Sequence, residues 1–190
     1  MSSPLDQYLP RSDIRERFSV RVRAPADVVF QVATTMDLQS LPLVRAIFRL
    51  REFLMRAKPV SRQPRGMLDE LRGLGWGILE ERPGQLVVGG AVCQPWQADV
   101  VFRPLAPTAF AAFAEPDQVK IAWTFEAAPL GPALTRFSSE TRAVATDEGA
   151  RRKFRRYWRW ARFGIITIRL LLLPAVRREA ERRWRSDRGE

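Results

Sequence analysis

The chain has 190 residues, of which 46% are hydrophobic, and it contains one cysteine and no histidine. This length and apolar fraction are typical of one globular domain with its own core. Without histidine, the chain has no His-based triad, no His-ligated zinc or iron site and no imidazole acid or base. A single thiol, Cys93, excludes an internal disulfide and a thiolate metal site. We therefore expect no metal and no cofactor.

The net charge of +11 is concentrated at the C-terminal end of the sequence. Residues 1–150 carry 18 basic and 17 acidic side chains, a net +1, whereas residues 151–190 carry 14 basic and 4 acidic, a net +10. Residues 1–18 lack the apolar core of a signal peptide. No apolar run reaches the roughly 18 residues that span a bilayer. We expect a cytoplasmic protein, with peripheral association at a membrane as the alternative.

The first half of the chain predicts a strand, two helices and a hairpin. Residues 14–23 alternate apolar and polar side chains in their second half, which indicates a half-buried strand. Pro25 suits the opening of a helix, and apolar residues at helical spacing predict a second helix over 41–56. Residues 75–82 and 85–93 flank a Pro-Gly turn and predict a hairpin.

The second half predicts a short helix at 108–114, strands at 119–126 and 133–145 with a turn at 129–132 between them, and a long final helix. Thr146-Asp147 supplies a good N-cap for that helix, which we expect to run to about residue 185. We expect Pro174 to kink or interrupt it. Its apolar stripe, at about 100° per residue, consists of Phe154, Trp158, Ala161, Ile165, Ile168, Leu172 and Val176.

Several of these stretches, in this order, carry a family resemblance. They are FSVRVRAPADVVFQVAT (18–34), GWGILEERPGQLVVGG (75–90) and residues 121–158, which include Glu-Thr-Arg at 140–142 and an aromatic-rich helix start. Together they resemble the START-like, polyketide-cyclase and birch-pollen-allergen (SRPBCC) superfamily, and the last stretch resembles a bacterial subgroup. The resemblance implies an α+β helix-grip fold, in which a curved antiparallel sheet wraps around a long C-terminal helix and two short helices follow the first strand.

The resemblance also implies a function and a division of the chain. Residues 1–13 would be an N-terminal extension, 14–185 the helix-grip domain and 186–190 a tail. Members of the superfamily bind lipids, sterols, polyketides or other apolar molecules between sheet and helix, and only some are enzymes. We therefore expect binding, transport or sequestration of a hydrophobic small molecule or lipid. The alternative is a polyketide cyclase- or dehydratase-like enzyme that uses the same cavity.

Candidate ligand contacts combine large aromatic side chains with small neighbours that would leave space for a pocket. Each such residue is more often plain core than a ligand contact, because apolar packing dominates protein interiors. The predicted ligand-binding residues are Trp76, Trp123, Phe125, Phe137, Ser139, Thr141, Phe154, Tyr157, Trp158, Ala161, Ile165 and Ile168.

Glu140 and Arg142 form a candidate polar handle, since residues two apart on a strand share a face. Facing solvent, they would be an exposed charge pair of little energetic weight. Facing inward, they would be a buried pair able to orient the polar head of a ligand. Tyr157 and Glu140 are weak candidates for catalysis, and an enzyme would bring Tyr157 together with Glu140 or Asp99. No catalytic residue is assigned.

The final helix has more apolar surface than one contact with a sheet can cover. Residues 163–173 are apolar nearly all round, with Gly164, Thr167 and Arg169 as exceptions. The second apolar face must meet the chain's own helices, the second subunit of a homodimer, or an anionic membrane surface reached through residues 151–185. Coverage by the chain's own helices is slightly preferred. Nucleic acid is the weakest partner, because no binding motif accompanies the arginines.

Overall fold

The computed structural model describes residues 3–37, 45–47, 49 and 66–189. After a short 3-10 helix at Pro4–Gln7, the strands are β1 (Ile14–Val22), β2 (Gly77–Arg82), β3 (Leu86–Cys93), β4 (Val119–Gly131) and β5 (Leu134–Ala145). The helices are α1 (Ala26–Thr35), α2 (Met67–Gly73), α3 (Pro107–Ala112) and α4 (Glu148–Asp187). Most of the helix predicted at 41–56 lies outside the described residues; within it, residues 45–47 and 49 are helical.

The strands form one antiparallel sheet in the order β1-β5-β4-β3-β2. Tight connections join β2 to β3 and β4 to β5, whereas β1 reaches the far edge and pairs with β5 along its whole length. On one face of the sheet, α4 packs against β1 and β5, and α1 contacts both α4 and β4. We call this the inner face. The predicted α+β fold, a sheet held against a long C-terminal helix, is confirmed.

The opposite, outer face of the sheet is also covered. A second apolar cluster there joins the N-terminal segment (residues 3–13) and α3 to the strands of the sheet. Its buried members are Leu5, Leu9, Leu79, Leu86, Val88, Val92, Phe110 and Ala122. β3 is consequently buried at all eight positions. A strand covered on both faces is apolar throughout rather than alternating, which explains the continuous run Leu86–Cys93.

Two predicted details are corrected. The turn expected at 129–132 comes slightly later, because β4 continues through Pro129 to Gly131 with a register irregularity at that point. α4 begins at the predicted N-cap, where the Asp147 carboxylate accepts a hydrogen bond from Ala150 N at 2.9 Å. Pro174 does not interrupt the helix, which continues to Asp187. Leu172, Leu173 and Val176 are buried around the exposed Pro174, so tertiary packing offsets the missing backbone hydrogen bond.

Candidate functional site

Four of the predicted ligand contacts form an aromatic array on the inner face of the sheet. Ring centroids of Trp76 and Trp123 lie 6.2 Å apart, those of Trp123 and Phe125 5.0 Å, and those of Phe125 and Phe137 6.1 Å. Side chains two apart on a strand share a face of the sheet, which places Trp123 and Phe125 of β4 on the same side. Phe137 of β5 is the diagonal cross-strand neighbour of Phe125. The aromatic array thus lines the inner surface across β4 and β5.

The indole of Trp123 lies over a glycine of the neighbouring strand. A Cβ atom on Gly89 of β3 would be 2.2 Å from Trp123 Cζ2, so the indole occupies the space that a side chain would need. Trp123 is 5% exposed, and its Nε1 has no hydrogen-bond acceptor among the described residues. A buried donor without an acceptor is unusual in a folded protein, which makes this N–H a candidate contact for a ligand.

A second group of predicted contacts lies on the first turns of α4. Phe154 is buried and its ring lies 6.5 Å from that of Tyr157 and 6.0 Å from that of Trp158. This group packs against the ends of β4 and β5. Further along α4, Ala161 is buried and Ile165 and Ile168 are half-buried.

Ser139 and Thr141 lie on β5 between the two aromatic groups. Both face α4, because they alternate with Glu140 and Arg142 and pair with Phe125 and Trp123 of β4. Ser139 is fully buried. This face of the strand points toward α4, and the two hydroxyls give the inner surface a polar centre.

Sequence reasoning missed the side chain that contacts those hydroxyls. Arg169 reaches from α4 to the sheet, where its Nη1 donates to Ser139 Oγ and its Nη2 to Thr141 Oγ1. Burial lowers the pKa of Arg169 to about 10, while the charge of Glu16 on β1 acts in the opposite direction. The guanidinium is therefore still a cation at neutral pH. A lone charge within the apolar run 163–173 was the available signal.

A groove of about 700 Å³ lies at the sheet edge, between β1 and the first turns of α4. This volume is in the range of small-molecule sites. Its lining is strongly basic, with Arg15, Arg152, Arg155, Arg156 and Arg159 against Asp13 and Glu16, and it includes Trp158. Glu16 and Trp158 face the helix–sheet interface, so the groove adjoins that interface.

Glu140 and Arg142, the predicted polar handle, lie on the outer face. Both are 2% exposed, because the N-terminal segment covers them. Arg142 Nε donates to Glu140 Oε1 at 2.7 Å, Ser3 Oγ donates to Glu140 Oε2 at 2.9 Å, and Arg142 Nη1 donates to Leu9 O at 2.8 Å. The pair thus faces neither solvent nor the helix–sheet interface, and its contacts are structural.

The electrostatics of this pair agree with its burial. Burial alone would raise the pKa of Glu140, but hydrogen bonds from Arg142 and Ser3, with the charges of Arg142 and Arg15, lower it overall. Arg142 Nη2 also lies 2.7 Å from Asp6 Oδ1, and the pKa of Asp6 is lowered, chiefly by that contact. Both carboxylates are consequently ionised at neutral pH, and they hold the N-terminal segment on the sheet.

Two of the groups that an enzyme would combine, Tyr157 and Glu140, lie apart in the structure. Tyr157 lies on α4 at the inner face, whereas Glu140 lies on the outer face of the sheet. Asp99 is exposed in the connection after β3.

No protein-family model matches the sequence, and no curated protein is significantly similar to it. Solved structures that resemble the chain include the aromatase/cyclase ZhuI from Streptomyces sp. R1128, at 16% identity over 90% of this chain and 94% of that one, with a TM-score of 0.35. Another is the di-domain ARO/CYC BexL of the BE-7585A biosynthetic pathway, at 16% identity and a TM-score of 0.33. There the match covers 88% of this chain and 46% of BexL.

A third similar structure is the hypothetical protein jhp0584 from Helicobacter pylori, at 9% identity over 95% of both chains, with a TM-score of 0.39. At these identities and TM-scores, the comparisons carry no argument about what this chain does. Function has to be judged from the residues of this chain.

Proposed function

We propose that this protein binds a hydrophobic small molecule or lipid between the inner face of the sheet and α4. The observation that supports the proposal best is the buried Nε1 of Trp123, which has no acceptor among the described residues. Leaving such a donor unsatisfied costs about 1–3 kcal/mol. A ligand with an acceptor group near Gly89 would remove that cost.

The chemical character of the inner face also supports a ligand. Aromatic side chains surround a few hydrogen-bonding groups, namely Ser139, Thr141 and Arg169. Small-molecule sites combine a mostly apolar lining with a few placed polar groups in this way. Apolar packing alone does not require a guanidinium held by two hydroxyl groups at this position.

Binding is a better proposal than catalysis for the same interface. A cyclase- or dehydratase-like reaction would need two titratable groups within reach of one substrate. Tyr157 and Glu140 lie on opposite faces of the sheet, so they do not provide that pair.

Native mass spectrometry of the purified chain, with organic extraction of the same sample, tests the binding proposal. We expect an apolar molecule to be recovered, or, from ligand-free protein, saturable binding of the fluorescent fatty acid cis-parinaric acid. Trp123→Phe should keep the fold and weaken binding, because it removes the N–H. Failure to recover any apolar molecule, together with no binding of the probe, would contradict the proposal.

A second candidate function, docking at an anionic membrane surface, has its own supporting observation. Trp160, Phe163 and Leu170 are 40%, 64% and 59% exposed and share one side of α4. Among the described residues, Arg156, Arg159 and Arg162 beside them have no carboxylate within 4 Å. An exposed apolar stripe with a basic border is typical of peripheral membrane helices. None of the helices in the described part of the chain is long and apolar enough to cross a bilayer.

Co-sedimentation with vesicles of phosphatidylserine and phosphatidylcholine tests this second function. We expect the native chain to bind, and Phe163→Glu with Leu170→Glu to abolish binding. The matched control is Val101→Glu, which changes another exposed apolar side chain, at 78% exposure, in the connection after β3 rather than on α4. Equal binding by the control and the α4 variant would contradict docking through this stripe.

A further inference from the structure

Arg169 is a cation whose immediate neighbours on the sheet are neutral hydroxyl groups. Its side chain extends from α4 to β5, where Nη1 donates one hydrogen bond to Ser139 Oγ and Nη2 donates one to Thr141 Oγ1. A guanidinium has five N–H groups, so three are left without a protein acceptor among the described residues. Both partners it does have are uncharged.

The charge of Arg169 is also incompletely balanced. Arg142, on the outer face, has the Glu140 carboxylate within 3 Å, whereas Arg169 has no carboxylate within 4 Å among the described residues. Glu16, which pairs with Thr141 in the sheet, interacts with it only at longer range. Arg169 is half-buried. Taking a charge even partly out of water without a close counter-ion is unfavourable, and a bound anion would offset that cost.

The planar fork of a guanidinium matches a carboxylate, which it binds through two parallel hydrogen bonds. Trp123 and Phe125 are the β4 partners of Thr141 and Ser139. A molecule that reached Arg169 would therefore lie beside the aromatic array.

The neighbouring groove favours the same kind of molecule. Five arginines and two acidic residues line it, a net +3. Glu16 both lines the groove and acts on Arg169 at longer range, so one charged side chain connects the groove to the interface that holds the guanidinium. A basic cleft raises the local concentration of anions.

We propose that Arg169, with Ser139 and Thr141, is the binding subsite for the carboxylate head of an amphipathic acid whose apolar part lies against the aromatic array. This inference rests on the proposed function, because it names the chemical class of the ligand held between sheet and helix. Arg169 supplies charge and two hydrogen bonds, and the two hydroxyls hold its side chain in place.

A matched pair of probes tests the subsite: cis-parinaric acid and its methyl ester, which differ in the charge of the head group. We expect the native chain to bind the acid at least tenfold more tightly than the ester, since a charge-assisted pair is lost with the ester. Arg169→Gln should remove this preference while leaving the affinity for the ester unchanged. Arg169→Lys should keep part of the preference for the acid, because the positive charge remains. The rest of the preference should disappear, because lysine lacks the planar fork of hydrogen-bond donors.

The control variant is Arg178→Gln, which removes an exposed arginine of the same helix and should leave both affinities unchanged. Equal affinity of the native chain for acid and ester would overturn the subsite and leave the proposed function intact. Failure of both probes to bind would overturn both. Weaker binding of acid and ester alike by Arg169→Gln would show a structural role and also overturn the subsite. If Arg169→Gln does not fold, the subsite is tested by the preference for the acid over the ester in the native chain and in Arg169→Lys.

Discussion

At the scale of single residues, the role of each polar side chain is set by what covers it. Glu140 and Arg142 sit on a strand where alternation places them on one face, but alternation does not say what lies over that face. The N-terminal segment covers it and contributes Ser3, Asp6 and Leu9 O as partners. A pair that was a candidate for solvent or for ligand is therefore a structural anchor.

We predict that Glu140→Ala lowers the free energy of unfolding by about 3–5 kcal/mol, because it leaves Arg142 buried without its main partner. Urea denaturation measures this. Glu126→Ala is the matched control: Glu126 lies on the same face of the neighbouring strand but is partly exposed and 3.9 Å from Arg17, so its loss should cost less than about 1 kcal/mol. Equal costs for the two variants would show that Glu140 is not a buried anchor.

Gly89 gives a second prediction at this scale. In Gly89→Ala, the new methyl group would meet the Trp123 indole at 2.2 Å, and we expect a loss of about 1–3 kcal/mol from overpacking. Intrinsic tryptophan fluorescence should change as the ring moves. Gly73→Ala is the control, because nothing lies within 4 Å of its added Cβ, and it should be neutral or slightly stabilising. An unchanged stability and spectrum in Gly89→Ala would contradict the packing described.

At the scale of elements, the N-terminal segment has a larger part in the fold than its sequence suggested. Residues 1–13 were predicted as an extension, and no periodic pattern marks them as part of the core. Leu5 is fully buried and Leu9 is 2% exposed, within the outer cluster. Ser3 caps the short 3-10 helix that carries Leu5.

The attachment of this segment is expected to depend on pH. The pKa of Glu140 is lowered from its usual 4.5, and that of Asp6 from 3.8, in the folded protein. A carboxylate with a depressed folded-state pKa contributes stability above its unfolded-state pKa and loses it as pH falls through the folded-state pKa. We therefore expect the Glu140 and Asp6 carboxylates to make their full contribution to folding stability at pH 7. That contribution should be lost progressively below about pH 4.5.

Denaturation at a series of pH values, compared with Glu140→Gln, checks this. The variant should be less stable at pH 7, and the difference between the two proteins should narrow as the acid limb is reached. Parallel pH profiles for the native chain and Glu140→Gln would contradict a contribution of this carboxylate.

At the scale of the whole molecule, the sheet separates two interiors with different character. The outer face holds an apolar cluster covered by the N-terminal segment and α3, together with the buried Glu140–Arg142 ion pair and Lys120, whose ammonium donates to Ala111 O. The inner face holds the aromatic array, an unpaired indole N–H and a guanidinium without a close carboxylate in the described residues. The proposed ligand site rests on the polar groups of the inner face.

Occupation of the inner interface should stabilise the whole fold. A ligand present at about 100 times its Kd adds about 2.7 kcal/mol, which for a chain of this size corresponds to a rise in Tm of about 5–10 °C. Differential scanning fluorimetry with cis-parinaric acid measures it. Trp123→Phe and Arg169→Gln should show smaller rises, and Arg178→Gln the full one. A Tm that does not change at saturating probe would contradict binding to the folded interior.

The sequence by itself determined the local elements of this protein. The period-two pattern of 14–23, the Pro-Gly turn of the hairpin, the Asp147 cap and the apolar stripe of α4 are short-range signals, and each appears where predicted. It also placed the aromatic residues and the hydroxyls of β5 on the surface that faces the helix, because alternation sets the face of every residue on a strand once one is known.

Only the tertiary structure decided which polar groups meet. Arg169 and Ser139 are 30 residues apart, and Ser3 and Glu140 are 137 apart, and no periodicity relates such distant positions. Polar residues of the same strand, β5, are candidate ligand contacts on the face covered by α4 and structural anchors on the face covered by the N-terminal segment. The physical reason is that burial and charge compensation are properties of the packed surface, whereas a sequence pattern reports only local geometry.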